Sequence, residues 1–107
     1  MENIKIRLND VSARFLRMVI EQYLSMPPGN YTALLEHGVL SGLLRRKVSM
    51  FAYPKTVCTL TLHPDEAAVI HRIASHLYND NCDVFVRSMA YMFMAAIGPK
   101  TPDRMLQ

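Results

Sequence analysis

The chain is poor in the residues from which most catalytic and metal-binding sites are made. Its 107 residues hold two cysteines, four glycines and nine acids. Cys58 and Cys82 form no CxxC, and His37, His63, His71 and His76 form no HxxxH or HExxH, so no zinc site is expected. Cys58 falls in a strand-like run, at an inward position that suits a small apolar residue better than a nucleophile. There is no glycine-rich phosphate loop. The acids are too scattered for paired-carboxylate catalysis. An enzyme is not expected, nor a cofactor. No secretory signal opens the chain, because Met1-Glu2-Asn3 has no cationic start and no long apolar run follows. The most apolar run, Met89 to Ile97, is about half the length a membrane span needs. A cytoplasmic protein with reduced thiols and no membrane partner is the expectation.

What is present suits one globular domain, since half of the residues are hydrophobic and a fifth are charged. The net charge is +3. Its excess lies in residues 1–54, where Lys5, Arg7, Arg14, Arg17, Arg45, Arg46 and Lys47 outnumber Glu2, Asp10, Glu21 and Glu36. A basic face in that half and ordinary solvated charge are equally compatible with this.

The chain organises around Cys58-Thr59-Leu60-Thr61-Leu62-His63-Pro64-Asp65-Glu66. Its first residues alternate apolar and polar, the period of a strand with one buried face. Pro64 then suits a first helical turn, and Asp65 and Glu66 favour the positive end of a helix dipole. An earlier copy exists: Ile4-Lys5-Ile6-Arg7-Leu8 alternates in the same way, and Asn9-Asp10 follow as cap residues.

In order, a strand is expected over 3–8 and a helix over 10–25, with Ala13, Leu16, Val19, Ile20 and Tyr23 inward. Pro27-Pro28-Gly29-Asn30 ends that helix. A second helix is expected over 31–46, with Leu34, Leu35, Val39, Leu43 and Leu44 as its apolar stripe. Gly38 and Gly42 each cost a helix roughly 1 kcal/mol relative to alanine, which a close helix crossing would explain. Arg45-Arg46-Lys47 suit the negative end of the dipole, or a phosphate. Residues 48–56 read as a connector without helical period, in which Met50, Phe51 and Tyr53 pack down. The pattern then restarts with a strand over 57–62 and a helix over 64–78. The turn Asn79-Asp80-Asn81 leads to an apolar helix over 83–97, buried on every side, at the centre of the core or in an interface. Gly98-Pro99 stops it, and residues 99–107 form a tail.

The order is thus strand–helix–helix twice, a single domain of two repeats over 3–47 and 57–98. A lone strand leaves its ladder groups unpaired, so the two strands should pair as one antiparallel ribbon above four helices. With Leu60-Thr61-Leu62-His63-Pro64-Asp65-Glu66, Phe85-Val86-Arg87-Ser88 and the more divergent Ile6-Arg7-Leu8-Asn9-Asp10, the chain resembles the ribbon-helix-helix DNA-binding family. The resemblance spans roughly residues 3–97. It implies a mostly α fold, a tandem pseudo-dimer with one short two-stranded ribbon, like tandem proteins of conjugative plasmids. It also implies sequence-specific binding of double-stranded DNA in the major groove, by a bacterial, nucleoid-associated transcription regulator or a plasmid-transfer or partition accessory.

By that resemblance Lys5, Arg7, Thr59, Thr61 and Asn3 read bases. Asn30, Tyr31 and Thr32 approach phosphate at a helix start, as does Cys82-Asp83, and Arg45, Arg46 and Lys47 add charge. The chain departs from the family pattern at Asp83, which has the wrong charge for phosphate, and at Val57, which offers no polar chemistry. The usual Gly–x–Ser turn between the helices is missing. The alternative is a protein-interaction or oligomerisation module, antitoxin-like or adaptor, on the same fold without DNA binding. Its partner surface would be the apolar helix 83–97, facing a second copy or another protein. The short connector leaves exchange of units between two chains open.

Overall fold

In a computed structural model of the protein, residues 3–52 and 56–100 are described. The elements run β1 (Ile4–Asn9), α1 (Asp10–Ser25), α2 (Tyr31–Arg46), α3 (Val48–Ala52), β2 (Val57–Leu62), α4 (Pro64–Asp80) and α5 (Val84–Ile97), and a single 3-10 turn covers Gly98–Lys100. The fold is mostly helical, with one two-stranded antiparallel sheet formed by β1 and β2. There are five helices among the described residues, not the four expected. Val48–Ala52, read from sequence as part of an irregular connector, is the extra one, and five residues are too few to display a period. Phe51 within it is buried, as expected. Tyr53 and Pro54 of the connector and the tail from 101 lie outside the described residues.

Helix boundaries follow local chemistry. Asn9 caps α1: its Oδ1 accepts from the Ser12 N–H at 2.7 Å, while Ser12 Oγ accepts from the Asn9 N–H at 2.9 Å. This reciprocal box satisfies two orphan donors, and Ser12 is fully buried with its hydroxyl engaged. Pro27 and Pro28 lie just past Met26, where the backbone turns extended. At α4, Pro64 occupies the first turn and the Glu66 carboxylate accepts from the His63 N–H at 2.7 Å. At α5, Asp83 Oδ1 accepts from the Val86 N–H at 3.1 Å.

Contacts divide the chain into two compact units that cut across the sequence repeats. One spans Arg7–Leu60; the other joins the described residues up to Ile6 with those from Thr61 onward. Each unit therefore takes part of both strands.

In the Arg7–Leu60 unit, α1 packs against α2, and α3 contacts both. Ala13, Phe15, Leu16 and Ile20 are the buried apolar residues of α1, whereas Val19 and Tyr23, expected inward, are half-buried. Tyr23 Oη donates to Glu36 Oε1 at 2.6 Å, and the Tyr23 and His37 rings meet at 4.9 Å. These contacts turn α2 so that Glu36, Leu40 and Leu43 face inward. The expected stripe is corrected accordingly: Leu34 and Leu35 are 55% and 54% exposed. Nor does a helix crossing occupy the glycines, since a Cβ at Gly38 or Gly42 would meet nothing within 4 Å.

In the other unit α4 packs against α5. Leu62, Ala67, Ile70, Ala74, Ala90, Phe93 and Ile97 are buried there. The last helix is not buried on every side: Val84, Phe85 and Tyr91 are exposed. Its outward side is organised by Arg87, whose guanidinium lies 4.6 Å from the centre of the Tyr78 ring, with Tyr91 at 6.0 Å from the same ring.

Candidate functional site

The strands set the geometry of the expected base readers. Along β1, Ile4, Ile6 and Leu8 are buried while Lys5, Arg7 and Asn9 are exposed, a strict alternation. Such a strand presents its polar residues on one face, about 6.6 Å between successive ones. Asn3, just before it, is also exposed. Along β2, Leu60 and Leu62 are fully buried, Thr59 is exposed and Thr61 half-buried. Cys58 is half-buried on the inward register, and Val57 is exposed. Both cations thus belong to β1, and β2 offers hydroxyl and methyl groups instead. Neither Lys5 nor Arg7 has an acidic partner among the described residues.

One cation near β1 was not legible beforehand. Lys100, in the turn that follows α5, donates from Nζ to the Lys5 carbonyl at 2.6 Å. It sat in the sequence as the start of a tail, and no local pattern links it to residue 5. Chain folding alone brings them together.

The expected phosphate contacts fall into separate places. Asn30 caps α2, its Oδ1 accepting from the Ala33 N–H at 2.8 Å, and Tyr31 and Thr32 are exposed beside it. Arg45 and Arg46 are exposed at the opposite end of the same 16-residue helix, and Lys47, half-buried, ends it. At 1.5 Å rise per residue these ends are about 21 Å apart, so they form two patches and not one. The start of α5 is held by its own acids and amides: Asn81 Oδ1 accepts from the Asp83 N–H at 2.9 Å, and Asp83 caps the helix. That positive helix end is already answered by a carboxylate.

Other cations are engaged. Arg17 donates from Nε to Glu21 at 2.7 Å and from Nη1 to the Phe51 carbonyl at 3.1 Å, tying α1 to α3. Both cysteines are free thiols. Among the described residues no three His, Cys, Asp or Glu side chains gather to hold a metal. No helix among them is long and apolar enough to cross a membrane. Burial lowers the pKa of His71, which lies on α4 beside Gly98. Comparison of the chain with protein-family models, with curated proteins and with solved structures finds no match.

Proposed function

We propose that the protein binds double-stranded DNA, as a tandem ribbon-helix-helix pseudo-dimer that lays the outward residues of β1 and β2 in the major groove. The observation that carries this reading is the alternation along β1. Two exposed cations, Lys5 and Arg7, stand out from a strand whose other face is buried. Arginine and lysine donate to guanine O6 and N7, and threonine pairs with either base edge or touches a thymine methyl. A cytoplasmic, nucleoid-associated role in transcription, plasmid transfer or partition follows from that reading.

The test is fluorescence anisotropy with duplex DNA across a salt series, beside a Lys5→Ala/Arg7→Ala variant. Binding that weakens steeply with salt is expected from phosphate neutralisation. The double variant should lose most affinity, about 1–3 kcal/mol for each base contact removed, with its circular dichroism unchanged. Equal binding by the variant would sink the assignment of these residues.

A second reading, a protein-interaction module on the same fold, is favoured by one observation. Val84, Phe85 and Tyr91 of α5 are exposed large hydrophobic residues, with Val84 79% exposed. Absence of any DNA binding at low salt would select it.

A further inference from the structure

Helix α2 carries a face that its unit does not use. Successive helical residues step by about 100°, so Tyr31, Leu34, Leu35, Gly38, Gly42 and Arg45 share one side. Glu36, Leu40 and Leu43 take the opposite, buried side. On the open side Tyr31 is 73% exposed, and Leu34 and Leu35 are more than half exposed. A Cβ would have room at both glycines, so no contact among the described residues accounts for two residues that weaken the helix they sit in. This side carries no charge before Arg45.

The residues are ordered by size. The large apolar residues, Tyr31, Leu34 and Leu35, lie on the N-terminal side of Gly38; Ser41, Gly42 and the cation Arg45 lie on the C-terminal side. We propose that α2 pairs antiparallel with α2 of a second copy of this chain, about a two-fold axis at Gly38. Equal offsets from Gly38 then meet: Leu34 enters the hollow at the partner's Gly42, Leu35 lies against the partner's Ser41, and the Tyr31 ring receives the partner's Arg45 as a cation–π contact. Parallel pairing would stack large on large and set Arg45 against Arg45. Charge and size together select the antiparallel self-pair. A single helix pair buries less than the roughly 1,200 Å² of a standard interface, so the association is weak. It stands independently of DNA binding.

The test is sedimentation velocity on the full chain without DNA, over a concentration range that reaches a few hundred micromolar. Wild type should shift from monomer to dimer as concentration rises. Gly42→Leu fills the hollow and should weaken dimerisation at least tenfold, while the thermal midpoint of the dilute monomer stays level or rises. Exchanging the two ends in Leu34→Gly/Gly42→Leu should restore the dimer, because leucine and glycine meet again at the same offsets. A wild type that remains monomeric, a Gly42→Leu variant that dimerises as wild type does, or a double variant no better than the single would each overturn the proposal.

Discussion

Lys100 extends the basic surroundings of Lys5 through the backbone, by binding its carbonyl. A ribbon in a major groove is flanked by sugar–phosphate walls, and a lysine tethered to the ribbon backbone meets phosphate before it meets a base. On the DNA-binding reading, Lys100→Gln should weaken every duplex about equally and reduce the salt slope by about one, whereas Arg7→Ala should change which sequences are preferred. Anisotropy against specific and random duplexes separates the two. His71 acts on stability instead. Burial lowers its pKa from 6.5, so its protonation favours the unfolded chain. The stability held by the neutral ring is complete above 6.5 and declines as pH falls through the lowered value. Between pH 7.5 and 5, the urea midpoint of wild type should fall further than that of His71→Gln, the other three histidines being common to both.

At the scale of elements, the caps decide where helices begin. Asn9 and Ser12 satisfy each other, and Asn9→Ala removes the side-chain cap, while the buried Ser12 hydroxyl keeps the residue 9 carbonyl as its acceptor. A loss of about 0.5–2 kcal/mol is expected in urea denaturation with unchanged m-value. The same local chemistry made α1 and α2 legible: Asn9, the prolines at 27 and 28, Asn30 and the basic end at Arg45-Arg46 act within a few residues. The rotation of α2 was not legible. Leucines lie on both of its sides, and periodicity cannot choose between Leu34/Leu35 and Leu40/Leu43. The hydrogen bond from Tyr23 to Glu36 chooses, and it pairs residues on different helices. For α5 an apolar sequence does not mean burial within the chain. In a small fold much of the surface is apolar, and Val84 and Tyr91 lie on it.

At the scale of the molecule, the two compact units do not follow the chain's own halves. Ile4–Ile6 groups with residues from Thr61 onward, and Val57–Leu60 with the helices that precede it. The two repeats were visible in sequence because strand and helix periods recur, but which residues join which unit depends on strand pairing across the chain. A fragment ending at residue 52 keeps α1, α2 and α3 yet lacks β2. It should show no cooperative unfolding by circular dichroism, and addition of the remaining fragment should recover the transition. The same interleaving constrains synthesis. β1 leaves the ribosome roughly 50 residues ahead of its ladder partner, which at 5–20 residues per second is about 2.5–10 s. For that interval Ile4, Ile6 and Leu8 form an apolar strand with an open edge, the kind of segment that other nascent chains and chaperones capture.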